Sequence, residues 1–212
     1  MHCGLCQSQY VLPPVGGADE RSYFLCANCL LIGAAPEHLP DRRAEKDRYL
    51  THQNGIQHEG YVKFLHQAID PALAFIREGM SGLDYGCGPA PTLSALLRGK
   101  GHSCEDYDPF FAGHTLKKSF DFIFSTEVFE HFFFPGREIA KIRSLLEANG
   151  LLIIMTERWK DLEHFSQWHY TRDPTHVAFY HSGTFDFICG SYGFSKFFDD
   201  NGRVVILKKD NK

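Results

Sequence analysis

Leu83-Asp84-Tyr85-Gly86-Cys87-Gly88-Pro89-Ala90 is the stretch whose reading decides the fold. A short apolar run ends in two closely spaced glycines, and a helix-forming segment begins at Thr92. This is a strand–turn–helix unit whose small residues let the backbone turn sharply and lie against a ligand. The helix start contributes free amides and the positive end of a dipole. A glycine turn alone is weak evidence, so its context matters. Asp108 lies 20 positions beyond Gly88, at the end of a second strand, where a carboxylate can accept ribose hydroxyls. Asp106 takes that place if the strand register differs. A plain strand-end turn before Pro109 is the other reading of Asp108.

Outward from this unit, apolar periodicity alternates between strand and helix. Strands are expected at 83–85, 104–107, 120–125, 151–156, 194–198 and 204–208, with helices at 92–98, 135–146 and 184–189. Alternation of this kind implies an α/β fold with a parallel sheet covered by helices on both faces. Asn201-Gly202 signals a two-residue hairpin, so the sheet should end in an antiparallel pair. Upstream, residues 56–69 carry Tyr61, Phe64, Leu65 and Ala68 at helical spacing, and Pro71–Ile76 should start another helix. The mixed-charge run Asp41–Arg48 reads as a solvated helix.

Four of the seven cysteines form a separate cluster: Cys3-x2-Cys6, then Cys26-x2-Cys29. Two CxxC turns at this spacing predict a tetrathiolate zinc site of ribbon type. Four thiolates leave no open position, so the zinc should be structural, stapling a module too small for its own core. The expected organisation is a zinc ribbon at 1–35, a linker at 36–55 and the main α/β unit at 56–212. Residues 1–35 hold one Lys or Arg, Arg21, and the formal net charge is -4. Both argue against a nucleic-acid partner. Composition is that of a soluble globular protein, 43% hydrophobic and 23% charged, with an aromatic excess that includes 19 Phe. No apolar stretch reaches the roughly 18 residues of a membrane span, and no signal peptide is read. A cytoplasmic protein with no membrane partner is expected.

Leu83-Asp84-Tyr85-Gly86-Cys87-Gly88 resembles motif I of class I S-adenosylmethionine-dependent methyltransferases. Phe120-Asp121-Phe122-Ile123-Phe124 followed by Glu127-Val128-Phe129-Glu130-His131 resembles motif IV, and residues 146–154 look like that family's fifth strand. The resemblance spans roughly residues 56–209. It implies a Rossmann-like sheet with a C-terminal antiparallel hairpin and S-adenosylmethionine as cofactor. Asp84, Tyr85, Gly86 and Gly88 would line its methionine part, Asp108 would hold the ribose, and Ser125, Thr126 and Glu127 would lie beside the sulfonium. Two features depart from the family. Ala90 stands where a third glycine is usual, and only 11 residues separate Asp108 from Phe120. The third strand should therefore be missing and the adenine end built differently.

A methyl acceptor must be positioned and, where needed, deprotonated. Glu127 and His131 follow the fourth strand, at the end where ligands bind in such sheets. The segment between Arg158 and His181 holds both tryptophans and His164, His169, His176 and His181. It reads as a long loop over the acceptor pocket. His176 and His131 are the expected proton acceptors, with Trp168, His169, Tyr170 and Arg172 contacting substrate. Spacings of five to seven residues among these histidines match no standard metal pattern. Tyr49, His52 and Asn54 either fold over the cofactor or belong to an ordinary linker. A small-molecule methyltransferase is the first reading. An RNA methyltransferase using the ribbon for contact is the second, and a non-catalytic binding protein on the same fold is the third.

Overall fold

In the computed structural model, which describes residues 1–211, the two CxxC segments adopt the same turn. The Gln7 amide donates to the Cys3 carbonyl (3.0 Å) and Cys3 donates to Ser8 (2.9 Å). In the second turn Leu30 donates to Cys26 (2.9 Å) and Cys26 to Leu31 (2.9 Å). Closing each turn puts Gln7 and Leu30 at φ 61° and 58°, a region non-glycine residues seldom adopt. Between and after the knuckles run β1 (Val15–Gly16), β2 (Ser22–Leu25) and β3 (Ile32–Ala34), each paired antiparallel to the next.

The segment expected as a linker contains α1 (Arg42–Tyr49), whose Asp41 cap accepts from the Arg43 and Ala44 amides. Then α2 (Glu59–Leu73) runs straight through Pro71. No separate helix begins there, contrary to the sequence expectation. Proline in the last turn forfeits one backbone bond, whereas the Leu65, Ala68, Ile69 and Ala72 stripe stays buried on one face.

Next come β4 (Ser81–Tyr85), α3 (Thr92–Gly99), β5 (Ser103–Tyr107), β6 (Phe120–Thr126), α4 (Pro135–Ser144) and β7 (Leu146–Met155). The chain ends with α5 (Leu162–Gln167), β8 (Ala178–Phe179), α6 (Ser182–Tyr192), β9 (Phe194–Asp199) and β10 (Val204–Lys209). The main sheet has the order β5-β4-β6-β7-β10-β9, parallel except for β10, which is antiparallel to β7 and β9. No described strand lies between β5 and β6 in sequence, so β5 forms the edge, as the short connection implies. The final hairpin turns through residues 200–203, not a two-residue loop, because Asp200 accepts from the Gly202 and Val204 amides.

Side chains alternate across this sheet. Phe122, Phe124, Ile153 and Ile206 pack against α2 and α3, whereas Ile123, Leu152, Val205 and Leu207 pack on the side of α4 and α6. Cys3, Leu5, Cys26 and Leu31 belong to this second layer. The N-terminal module is therefore continuous with the main core. It also borrows a strand, since β8 completes the order β1-β2-β3-β8 by pairing Ile32 with Phe179. Around that joint Tyr23, Ile32, Trp159, Phe165, Trp168, Tyr170 and Phe179 form a third buried cluster. Among the described residues, no helix is long and apolar enough to cross a membrane.

Phe165 is the keystone of the joint: its ring lies 5.3 Å from Tyr23 and 5.2 Å from Phe179, with no exposure. Phe165→Ala should cost about 3–5 kcal/mol in urea unfolding. A loss below about 1 kcal/mol would mean that the two parts of the chain are held together elsewhere.

Candidate functional site

The glycine turn follows β4 because the backbone must reverse under β5: the Gly86 and Cys87 amides both donate to the Tyr107 carbonyl, at 2.7 and 3.1 Å. Gly86 has φ 92°, and a Cβ there would run into the Val128 side chain. Gly88 has φ 66°, and a Cβ there would project into open space. Pro91 offers no side-chain cap to α3; the Thr92 amide donates instead to the Ala90 carbonyl (2.7 Å). Asp108 accepts from the amides of Gly88 (3.1 Å), Phe110 (2.7 Å) and Phe111 (3.2 Å). Its carboxylate therefore shapes the loop as well as lining the cleft. Asp106 is engaged elsewhere, accepting from Ser94 and Arg98.

These residues line one end of a cleft of about 720 Å3, within the usual size of a small-molecule site. Tyr85, Gly86, Gly88, Asp108, Thr126 and Glu127 all face it. Asp84 and Ser125 do not. They lie beneath the turn, 3% and 0% exposed, because β4 and β6 are central strands covered on both faces. Burial, then the nearby Asp106, pushes the Asp84 carboxyl up to about 8. The Ser125 hydroxyl has no partner among the described residues.

At the other end stand Glu127, Glu130, His131 and His176. Glu127 has φ 53°, which swings its side chain back toward Arg203, 3.3 Å away. The Tyr170 hydroxyl sits between the two carboxylates, 2.6 Å from Glu130 and 3.1 Å from Glu127. Thr156 donates to the other Glu130 oxygen at 2.8 Å. Burial raises both carboxyls, and for Glu127 the Glu130 charge adds to it. Burial lowers both histidines, taking His176 down to about 3, so the imidazoles are neutral. Tyr49, His52 and Asn54 close the cleft from the 36–55 segment. Tyr49 stacks edge-on at 5.1 Å from His131.

The segment after β7 is not the open loop the sequence suggested. Trp168 and Tyr170 are buried in the joint with the N-terminal module and do not wall the cleft. Stacking at 4.9 Å and bonds to Glu157 and Glu130 satisfy both the faces and the polar tips of these rings. His169 and Arg172 are exposed on the outer side and also lie outside the cleft lining. Only His176 and Asp173 from this segment reach it.

Their placement depends on Arg21, which the sequence marked only as the module's lone Lys or Arg. Its guanidinium donates to the carbonyls of Pro174 (3.1 Å), His176 (3.0 Å), Asp173 (3.0 Å) and Thr171. From the opposite side Arg48 on α1 holds the Asp173 carboxylate at 2.7 Å. Nothing in local spacing announces either bond, since the partners are more than a hundred residues apart.

The four cysteines are free thiols whose sulfurs all lie within 4.8 Å of one another. Cys3–Cys29 and Cys6–Cys26 are 3.5 Å apart. A tetrahedron with Zn–S of about 2.3 Å has edges of about 3.8 Å, so the group fits a tetrathiolate ion.

A family model described as a methyltransferase domain matches residues 56–196, about two thirds of the chain. No curated protein sequence matches. Among solved structures, a chain in the Haloferax volcanii complex of the Trm112 methyltransferase activator with a methyltransferase is similar at TM-score 0.54 and 11% identity. That match covers 79% of this chain and 97% of the other. The YcgJ protein of Bacillus subtilis is similar at TM-score 0.50 and 12% identity, covering 70% of this chain and 98% of its own. A Bacillus halodurans protein described as a methyltransferase gives TM-score 0.50 and 11% identity, with 69% and 99% covered. At these identities the likeness is one of fold.

Two outcomes follow from this geometry. Arg21→Ala removes the guanidinium donor from four carbonyls, three of them in part-buried bonds, a loss of about 1–3 kcal/mol. Amide exchange should accelerate about tenfold or more across residues 171–177 while β6 and β7 stay protected; an unchanged 171–177 segment would contradict the clamp. Because the folded carboxyl of Asp84 titrates near 8 against about 3.9 unfolded, its stabilising contribution is complete below the unfolded value. It is lost as pH rises toward the folded one. Asp84→Asn should flatten the fall of stability between about pH 4 and 8; an identical slope in the variant would assign that fall to other groups.

Proposed function

Because this chain belongs to the methyltransferase-domain family, we propose that it is an S-adenosylmethionine-dependent methyltransferase acting on a small-molecule acceptor. One observation carries the reading: the glycine turn with Asp108 and the group Glu127, His131 and His176 line a single continuous cleft. When bound, the cofactor supplies an electrophilic methyl on a sulfonium. Gly86, Gly88 and the turn between them would cradle its amino-acid part, with Tyr85 and Thr126 alongside. Asp84 and Ser125 would act from beneath, through the shape of the turn. Asp108 would hold the ribose. Glu127, His131 and His176 form the acceptor side and between them receive the acceptor's proton. Neutral imidazoles and carboxyls raised toward neutrality suit that task. In place of Trp168, His169, Tyr170 and Arg172, the acceptor meets Tyr49 and His52.

Residues 1–35 form, in this reading, a zinc-ribbon unit whose ion is structural, and 56–212 form the methyltransferase unit. The 36–55 segment roofs the site. The ribbon's one guanidinium is turned inward onto carbonyls, leaving no basic face for RNA, which favours the small-molecule reading over the RNA one. Seven free thiols suit a reducing, cytoplasmic setting.

Calorimetry with S-adenosylhomocysteine tests the cofactor assignment. The wild type should bind, and Asp108→Ala should weaken binding about tenfold or more, the usual worth of hydrogen bonds to a charged group. An unchanged Asp108→Ala affinity would remove the ribose assignment. No binding at about millimolar ligand, roughly the -4 kcal/mol level, would remove the enzymatic reading.

A further inference from the structure

Glu130, His131 and His176 are brought together by the fold in a way their spacing does not announce. Glu130 and His131 sit on the short 3-10 turn at Phe129–His131 after β6, and His176 arrives on the segment clamped by Arg21. One ligand atom from each lies within 4.8 Å of the other two. The two rings are 4.9 Å apart, centre to centre.

The hydrogen bonds around the three fix which atoms are free. His131 Nδ1 lies 2.9 Å from the Thr175 carbonyl, and His176 Nδ1 lies 2.7 Å from the Tyr170 carbonyl. A carbonyl only accepts, so each ring carries its proton on Nδ1 and its lone pair on Nε2. Neither Nε2 has a hydrogen-bond partner among the described residues. Tyr170 and Thr156 each donate to one Glu130 oxygen, which orients the carboxylate and still leaves lone pairs. Imidazoles tied through Nδ1 to backbone carbonyls, beside a carboxylate fixed by hydroxyl donors, are the outer-shell pattern that surrounds metal ligands. All three residues line the cleft, so positions opposite the protein ligands face its interior.

We propose that Glu130, His131 and His176 bind a divalent transition cation through one carboxylate oxygen and two Nε2 atoms, leaving coordination positions open to the acceptor. Two imidazoles and one carboxylate with open positions are the ligand set of catalytic zinc and non-haem iron sites, unlike the closed four-cysteine site. The inference rests on the methyltransferase reading for what enters the open position: an acceptor bearing an oxygen or sulfur that can ligate the ion. It also divides the work on the acceptor side. The imidazoles hold the cation, and Glu127 receives the proton as the acceptor–methyl bond forms and the sulfonium–methyl bond breaks.

The test loads the full chain with Co(II), removes loosely held ion by desalting, and combines metal analysis with absorption spectra. The wild type should retain about two equivalents: one with thiolate-to-cobalt charge transfer from the cysteines, one with visible bands alone. His176→Ala and, separately, Glu130→Gln should retain about one equivalent, with the thiolate band intact. That band, together with an unchanged circular dichroism spectrum, reports folding. One equivalent in the wild type, or two in both folded variants, overturns the proposal. Should a variant not fold, the spectrum of the wild type decides: without a thiolate-free component the site does not exist. S-adenosylhomocysteine calorimetry on the same samples separates the two readings. Cofactor binding with one equivalent of metal fails the cation alone, and two equivalents without cofactor binding fails the methyltransferase reading alone.

Discussion

The Arg21 guanidinium donates to the carbonyls of Thr171, Asp173, Pro174 and His176, and much of the site's geometry depends on it. Three of these bonds are part-buried and the one to Pro174 is exposed; the Asp173 carbonyl also accepts from the His176 amide (3.1 Å), so the guanidinium and one tight turn together pair the backbone of this segment. With the clamp in place, His176 Nδ1 can reach the Tyr170 carbonyl. The Tyr170 hydroxyl in turn reaches Glu130, and Thr156 at the end of β7 completes the chain. A residue of the N-terminal module thus orders side chains in a cleft built by the rest of the protein. The module has its own anchors: the shared β3–β8 pairing, Gly136 N–H donating to the Gly4 carbonyl, and Tyr192 donating to Leu5. The four-cysteine cluster closes the turns that give this short module a defined shape.

The cleft has an electrostatic character of its own. Asp84, Asp108 and Glu130 are almost fully buried around it, and Glu127 is largely so. Arg203 lies beside Glu127 at 3.3 Å. With these carboxyls raised by burial, a cationic ligand beside them would favour their ionised form, while Arg42, Arg137 and Lys141 line other parts of the cleft. A sulfonium-bearing cofactor and a metal ion are both cationic ligands.

The sequence made the framework readable because its signals are local. The turn at Gly86–Gly88, the alternating strands β4 to β7, the missing third strand and the two CxxC knuckles each depend on neighbours within a few residues. Positions that line the cleft were legible where they lie at strand ends, as with Asp108, Thr126 and Glu127. Elsewhere local signals misled. Trp168 and Tyr170 look like pocket aromatics, but periodicity cannot say which surface a ring meets, and the partner here is Tyr23 and Phe179. Pro71 looks like a helix start and lies inside α2, because the buried stripe decides. The segment at 36–55 has a linker's composition and still forms a wall of the cleft, through Glu45, Tyr49 and His52. His131 and His176 are 45 residues apart, so no spacing rule could join His176 to the adjacent pair Glu130 and His131.

If the N-terminal module is a working part of the methyltransferase unit, the chain must unfold as one cooperative body. Trp159 and Trp168 report on the joint through fluorescence, whereas far-ultraviolet circular dichroism reports on the main sheet and its helices. Urea unfolding followed by both probes, with the protein loaded with zinc and after treatment with a chelator, is the direct measurement. Coincident transitions that move together to lower urea on metal removal are expected. An early tryptophan transition, with the main transition unmoved by metal removal, would contradict the account.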